Sequence, residues 1–245
     1  MRRLQSIRST VPALDSRRAG RGRALHLLAL TTALVGLTSS ACKSEIDDKQ
    51  KAKVEAVDDK AEKDTAEKDT AEKDTADKDT PAGEVVKLDA ASSKLGFIGA
   101  KMIGDHKGSF PDVTGEVSVV DGKVTALQVE AKMASMVTDD EDLTGHLLGP
   151  DFFDAQTYPT ASFKTESVVE KSSENGTHEV VGVLELHGKA NKITFAATLE
   201  VSAGEVVGKA EFQIDRKLWG IDYAGKADNL IKDEVALELD LHFPR

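Results

Sequence analysis

The side chains that most often perform catalysis or bind metal ions are few and widely spaced in this chain. Its six histidines lie at positions 26, 106, 146, 178, 187 and 242, and none has the H-x-H or H-x-x-x-H spacing that places two imidazoles on one metal. The chain lacks a G-x-S-x-G nucleophile motif, and its single cysteine lies in the N-terminal leader. The sequence therefore predicts no catalytic residue and no metal site, and we expect a protein that is not an enzyme.

The single cysteine, Cys42, suits a different chemistry. An Arg-rich leader precedes the apolar run from Leu27 to Leu37, which is too short to span a bilayer comfortably but suits the core of a signal peptide. The letters SSAC that end at Cys42 resemble a bacterial lipobox, in which the cysteine is acylated, for example with palmitate, and becomes the mature N-terminus. Ser39 stands where a lipobox prefers Leu, so an ordinary signal peptide with an incidental cysteine is the alternative.

Acylation of Cys42 would tether the protein to a membrane, because several acyl chains anchor a protein far better than one. Lys43 stands in place of the Asp that retains lipoproteins at the inner membrane. We therefore expect a location in the bacterial cell envelope, anchored in the outer membrane and facing the periplasm or the cell surface. With one cysteine, no intramolecular disulfide can form.

Charge is distributed unevenly along the 245 residues, which carry a net charge of −11. Residues 1–42 carry seven Arg and one Asp, residues 43–80 carry nine Lys and fourteen acids, and residues 81–245 carry sixteen basic and twenty-eight acidic side chains. The part expected to fold is therefore acidic. This disfavours nucleic acid as a partner, since phosphate binding needs concentrated Lys and Arg.

The stretch AEKDTAEKDTAEKDTADKDT, Ala61 to Thr80, is a five-residue repeat without a large apolar side chain. It has no face to bury and cannot offset its ordering entropy. The sequence therefore predicts a lipoprotein signal peptide at 1–41, a disordered linker at 42–82 that begins with the lipidated Cys42, and a folded domain at 83–245. A coil of about forty residues would hold that domain on the order of 35 Å from the membrane.

From Val85 onward the hydrophobic period is two, which is typical of half-buried antiparallel strands. Every second residue is apolar from Ile193 to Val201 and again from Val235 to Phe243. Similar patterns predict strands in EVVGVLELHG and EVVGKAEFQID and near residues 85–90, 93–102, 113–120, 124–134 and 160–170. One helix is expected at about Asp139 to Leu148. Eight or nine strands with almost no helix indicate an all-β barrel or sandwich.

Small residues share the apolar face with the large aliphatic ones: Gly182, Gly208, Ala131, Ala161, Ala197 and Ala210. Small inward side chains would leave room for a ligand inside an eight-stranded barrel. Alternatively, the glycines mark positions where strands bend and the alanines face bulky partners. The pattern alone does not choose between the two.

Five segments occur in an order that resembles a known family: LDAASSKLGF, HKGSFPDVTGEVSV from His106, HLLGPDFFDAQTYPTASF from His146, GVLELHGKANKITF from Gly182 and FQIDRKLWGIDY from Phe212. Together, over residues 85–243, they resemble the YceI-like proteins, exported bacterial proteins often described as polyisoprenoid-binding. The resemblance implies an extended, eight-stranded, antiparallel, lipocalin-like β-barrel with one short helix and an elongated apolar cavity.

The resemblance also implies that the cavity binds, transports or stores a long-chain lipid in the cell envelope: a polyisoprenoid, an isoprenoid quinone or a fatty-acid derivative. No other cofactor is expected. Burial of each methylene stabilises such a complex by about 0.8 kcal/mol. We predict ligand contacts for Leu95, Phe97, Leu127, Val129, Phe152, Phe153, Phe163, Leu184, Leu186, Phe195, Ala210, Phe212 and Trp219. Phe152 and Phe153 should close one end of the barrel against core, ligand or both.

Two other functions stay open. A barrel filled by its own side chains would leave an envelope interaction protein that only presents a surface. A lipid-modifying enzyme would need polar residues at the barrel mouth, such as Asp151 or His146. The sequence also leaves a homodimer open.

Overall fold

The computed structural model describes residues 44–57, 83–102, 104–226 and 229–245. The predicted signal peptide, Cys42 and the five-residue repeat lie outside the described residues. Within those four ranges, no helix has both the length and the apolar character needed to cross a membrane.

The described residues form fourteen strands, one α-helix and three short 3₁₀ helices. The strands are β1 (Gln50–Lys51), β2 (Lys53–Ala56), β3 (Glu84–Lys87), β4 (Lys94–Lys101), β5 (Asp105–Ser109), β6 (Val113–Val120), β7 (Lys123–Lys132), β8 (Val137–Thr138), β9 (Thr160–Ser173), β10 (Gly176–Leu186), β11 (Lys189–Val201), β12 (Glu205–Asp215), β13 (Gly225–Lys226) and β14 (Asn229–Pro244). Helix α1 spans Glu141–Leu148, and the 3₁₀ helices span Glu45–Asp48, Met133–Ser135 and Arg216–Trp219.

The long strands form an antiparallel sheet that curls round on itself. Its order runs β6-β7-β9-β10-β11-β12-β14-β4-β5. Strand β5 pairs with β4, and β6, which follows it after three residues, pairs with β7. Strands β5 and β6 are therefore two halves of one bent strand. Since one half pairs with β4 and the other with β7, this strand closes the sheet into a barrel. Counted this way the wall has eight long strands, so the predicted all-β, lipocalin-like barrel is confirmed, with five short strands added.

Because neighbouring strands run antiparallel, their connections gather at two ends of the barrel. The helix end carries α1, the β4–β5 connection at 102–104 and the turn at His187–Gly188. The hairpin end carries the turns at Asp121–Gly122, Glu174–Asn175 and 202–204. Both central residues of the His187 and Asp121 turns have positive φ, which is the geometry that matches the twist of a two-residue hairpin.

Helix α1 covers the helix end. The Asp140 carboxylate accepts a hydrogen bond of 3.1 Å from the Leu143 backbone N–H, which caps the first turn. Glu141 and Asp142 add negative charge where the helix dipole favours it. The helix buries Leu147 against the barrel interior. The prediction of one helix at about 139–148 is therefore confirmed, and its start is fixed by the cap.

The predicted disordered linker of residues 42–82 is wrong at residues 44–57, which pack on the barrel. Ile46, only 1% exposed, lies against Ile98, Ala100 and Ala236 on the outer face of the sheet. The prediction extended the character of the repeat to the whole linker. Ile46 and Val54 supply apolar side chains that the repeat lacks, and their burial offsets the ordering entropy.

Strands β1 and β2 fill a gap in the barrel wall. Strand β11 pairs with β12 only from Thr198 to Val201, and the two strands separate beyond that point. There β1 pairs in parallel with β12 and β2 pairs antiparallel with β11. Ala52 and Val54 pack against the interior cluster that contains Phe195 and Phe212. We call residues 44–57 the wall segment, since part of the wall consists of them.

Candidate functional site: an apolar cavity inside the barrel

An inner chamber of about 110 Å³ occupies the half of the barrel nearer the hairpin end. Its lining is almost entirely apolar. The Phe195 and Phe212 rings stack with centroids 4.1 Å apart, and Phe163 meets Phe195 at 5.6 Å. Alternation along β9, β11 and β12 directs these rings inward, so they form one wall of the chamber.

An outer chamber of about 160 Å³ lies toward the helix end. Leu143 and Leu147 of α1, with Phe152 and Phe153 just after it, line this chamber on the side of the helix. The two chambers share five lining residues: Leu95, Ala131, Ala161, Leu184 and Leu237. The two chambers therefore adjoin along the length of the barrel.

Phe152 and Phe153 contact both protein and cavity. The Phe152 ring is 7% exposed and lies 5.2 Å from the Tyr223 ring and 5.5 Å from the His146 ring, measured between centroids. The Arg216 guanidinium carbon lies 5.9 Å from the centroid of the same ring. The adjacent Phe153 packs against the same cluster and also lines the outer chamber. The pair thus closes the helix end while offering apolar surface to the interior.

The charged and histidine side chains that line the outer chamber are all basic: Lys101, His106 and Arg216. Lys101 Nζ lies 2.9 Å from His106 Nε2, and His106 Nδ1 lies 3.0 Å from a carboxylate oxygen of Asp139. The hydrogen bond from His106, helped by the Lys107 backbone N–H, holds the pKa of Asp139 below its ordinary value. The chamber therefore has donors, but no carboxylate, on its own lining.

Arg216 is 3% exposed and is held by backbone carbonyls. Its Nε donates to the Lys232 carbonyl at 3.1 Å, and its Nη1 donates to the Ile221 carbonyl. Its Nη2 lies 3.6 Å from Asp233 and makes no hydrogen bond in the described structure. Burial lowers the pKa of Arg216, but a guanidinium stays protonated at any physiological pH.

The small residues on the apolar face were expected either to leave room for a ligand or to lie at strand bends and against bulky partners, and the structure shows examples of both. At Gly182, a Cβ would lie 2.6 Å from the Phe163 ring and 2.5 Å from the Lys164 carbonyl oxygen, and the β9–β10 register shifts there. Gly182 therefore fits the second reading: its missing side chain makes room for Phe163, and it lies where the strand register shifts. By contrast, Gly208 and the four alanines line the cavity, at Ala131, Ala161, Ala197 and Ala210.

The family model of the YceI-like domain matches residues 86–243, well over half of the chain. The chain belongs to the YceI-like family. A UPF0312 protein from Pseudomonas putida is 36% identical over 93 residues, which is 37% of this chain and 47% of that protein. A UPF0312 protein from Vibrio cholerae is 35% identical over 101 residues, covering 40% and 52%. The matched segment thus spans about half the length of these curated relatives.

Two solved structures share the YceI-like fold. BcnA from Burkholderia cenocepacia superposes with a TM-score of 0.57 at 23% identity, covering 63% of this chain and 98% of that one. A polyisoprenoid binding domain from Saccharophagus degradans superposes with a TM-score of 0.54 at 18% identity, covering 66% and 99%. At such identities the likeness shows the fold alone.

Twelve of the thirteen predicted ligand-contact residues line this YceI-like cavity. The inner chamber contains Leu127, Val129, Phe163, Phe195, Ala210 and Phe212. The outer chamber contains Phe97, Phe152, Phe153 and Leu186, and both contain Leu95 and Leu184. Contact with a ligand stays a prediction for all of them.

Trp219 is the exception, because the structure places it outside the cavity lining. It is completely buried, and its indole N–H donates to the Leu184 carbonyl at 3.0 Å. A buried indole needs an acceptor, and this one is found in the wall behind Leu184. Trp219 therefore packs as core.

Sequence reasoning missed other lining residues. Val235, Leu237 and Leu239 carry the alternation of β14, so the pattern could have placed them in the cavity. Lys101 and His106 gave no signal, since a basic residue at a strand end is ordinarily solvated. Among the described residues no three His, Cys, Asp or Glu side chains gather as a metal site would require.

Proposed function

We propose that this YceI-like domain binds one long-chain apolar lipid and carries or stores it in the cell envelope. The observation that supports this most is the pair of adjoining chambers inside the barrel, which aliphatic and aromatic side chains surround. Such a site grips a chain along its length with few polar contacts. The Saccharophagus degradans neighbour, described as a polyisoprenoid binding domain, points to the same class of ligand.

The expected affinity follows from the length of chain that is buried. A run of about ten methylenes would contribute about 8 kcal/mol at about 0.8 kcal/mol each. The loss of overall motion and the ordering of the chain offset several kcal/mol of this. A useful ligand must therefore be long, and short-chain acids should bind poorly.

The polar end of the lipid belongs at the helix end. Lys101, His106 and Arg216 line the outer chamber, whereas Lys209 is the one charged residue on the inner chamber. A head group that accepts hydrogen bonds, such as a quinone carbonyl, a carboxylate or a phosphate, finds its donors there. This arrangement favours an amphiphile over a plain hydrocarbon.

The test is mass spectrometry of an organic extract. Residues 43–245, exported behind an ordinary cleavable leader, keep the wall segment and can be purified from a periplasm without detergent. We expect a long-chain lipid at about one molecule per protein. A folded, empty protein that also fails to take up added quinones and fatty acids would contradict the carrier function and favour a surface-interaction protein.

The anchor at Cys42 is a second part of the proposal. Acylation there would tether the protein to a membrane of the envelope, and Lys43 favours the outer one. Cys42→Ala should move the protein from the membrane fraction to the soluble fraction without changing its fold. Retention of the variant in the membrane would show that the anchor lies elsewhere.

A further inference from the structure

The wall segment begins at the helix end of the barrel. The Ser44 hydroxyl donates to Asp105 at 2.8 Å, and the Glu45 backbone N–H donates to the other oxygen of the same carboxylate at 2.8 Å. Asp105 opens β5, beside the 102–104 connection. Cys42 precedes Ser44 by two residues, which reach at most about 7 Å. An acyl chain on Cys42 therefore has to lie close to the helix end.

Several contacts hold the wall segment in place. Ile46 is buried on the outer face of the sheet, and Gln213 donates a hydrogen bond to its carbonyl. Glu45 pairs with Lys107 at 2.7 Å, and Asp47 pairs with Lys232 at 2.6 Å. The segment then continues into β1 and β2. The start of the mature chain is thus attached to the barrel and is not a free tether.

Apolar side chains are exposed at the same end. Met102 is 67% exposed and Leu230 is 46% exposed, and the Met102 backbone N–H donates to the Leu230 carbonyl at 3.0 Å. Both lie beside Lys101 and Ile231, which line the outer chamber. At the hairpin end the turns carry the polar Asp121, Glu174 and Asn175 at their tips, although Val85 of β3 is 57% exposed near them.

We propose that the helix end is a membrane-docking surface whose partner is the lipid bilayer. Met102 and Leu230 enter the interfacial layer, and the outer chamber faces the membrane from which its lipid comes. A lipid then passes between bilayer and cavity without crossing water. The proposal rests on the anchor at Cys42 and the carrier function given above. It reverses the expectation from sequence, in which the tether joins the domain at residue 83, near the hairpin end, about 35 Å from the bilayer.

A fluorescence-quenching experiment on the acylated full chain tests this orientation. An environment-sensitive fluorophore is placed on Met102→Cys or, as the matched control, on Asn175→Cys at the opposite end; the Cys42 thiol is already consumed by acylation. Each protein is reconstituted in vesicles that contain brominated phospholipid. We expect the label at 102 to lose most of its emission and the label at 175 to lose almost none.

Equal quenching at both sites, stronger quenching at 175, or none at either would overturn the proposal. So would recovery of the chain in the soluble fraction, which would remove the anchor as well. The quenching does not depend on an occupied cavity, whereas the lipid extract does, so the carrier function and the docking can fail separately.

Two variants separate docking from simple tethering. Ile46→Asp should detach the wall segment, so the label at 102 should lose its quenching while the chain stays in the membrane fraction. Deletion of residues 61–70, two units of the repeat, should leave quenching at 102 unchanged, because those residues follow the wall segment and the rest of the connection between β2 and β3 is still long enough to span the barrel. An effect of the deletion as large as that of Ile46→Asp would show that the repeat, and not the wall segment, sets the position of the barrel.

Discussion

Ala210 is the residue at which the cavity can be tested most directly. Its methyl group is 6% exposed and lines the inner chamber beside Phe212. Ala210→Trp should fill the chamber and remove most of the lipid loading measured by mass spectrometry. Since the chamber provides room, the loss in unfolding free energy should stay within the usual overpacking range of about 1–3 kcal/mol.

The control for Ala210→Trp is Glu200→Trp, which places the same side chain on the wet face of β11 and should leave loading unchanged. If Ala210→Trp fails to fold while the control folds, the interior is packed core and the cavity does not hold a lipid.

The Arg216 guanidinium lines the outer chamber and also donates hydrogen bonds that stabilise the fold. Arg216→Met removes the donors to the Lys232 and Ile221 carbonyls and leaves two buried acceptors unpaired. We expect a loss of about 2–3 kcal/mol of unfolding free energy in a urea titration. Lys217→Met is the matched control, because its pair with Asp233 is 43% exposed and should contribute less than about 0.5 kcal/mol. Equal losses in the two variants would show that the burial of Arg216 has no special cost.

At the scale of elements, we expect the wall segment to detach as one unit. Ile46→Ala removes a side chain that is 99% buried, and such truncations cost about 2–5 kcal/mol when the structure stays in place. The wall segment can instead detach from the barrel. The loss in unfolding free energy then cannot exceed the free energy with which the segment binds to the barrel. Native-state hydrogen exchange should therefore show the amides of 50–56 exchanging together and faster, while β14 stays protected. Unchanged protection of 50–56 would contradict this.

The elements differ in how well the sequence predicts them. Strands β11 and β14 follow from strict alternation, and α1 lies at about residues 139–148, where the sequence predicts a helix. Strands β1 and β2 could not be predicted from the sequence. They pair with the edges of β12 and β11, and those edges are free only because the two strands separate in the folded sheet. Strand β5, DHKGS, has no apolar alternation, although it pairs with β4, the strand that precedes it in the chain.

At the scale of the whole molecule, the barrel and most of its lining follow from the sequence. The end of the barrel at which the N-terminal wall segment begins does not. Alternation directs residues such as Phe195 and Phe212 inward, and twelve of the thirteen residues predicted to contact a ligand line the two chambers. Trp219 was misplaced because an aromatic ring in a barrel suits core and cavity equally. The direction in which the chain leaves the barrel depends on the burial of Ile46, a single residue in a charged stretch.

Removal of residues 44–57 tests how far the whole barrel depends on the wall segment. Without it the gap between β11 and β12 opens onto the apolar interior near Phe195 and Phe212. We expect stronger binding of a dye that reports exposed apolar surface, and faster release of a bound fluorescent fatty acid. Deletion of 61–70, two units of the repeat, is the control, and both the dye binding and the release rate should stay at the wild-type value. A truncated barrel that behaves like this control would show that the wall is complete without the segment.

The attachment of the chain on both sides of the repeat has a genetic consequence. Residues 58–82 connect β2 to β3, so extra repeat units lengthen a connection whose two ends are fixed in the sheet. Each doubling of its length costs only about 0.6 kcal/mol of closure entropy. Slippage during DNA replication that adds or removes an in-frame copy of the five-codon unit should therefore be nearly neutral. Copy number is then free to drift between strains without a change in the fold of the barrel.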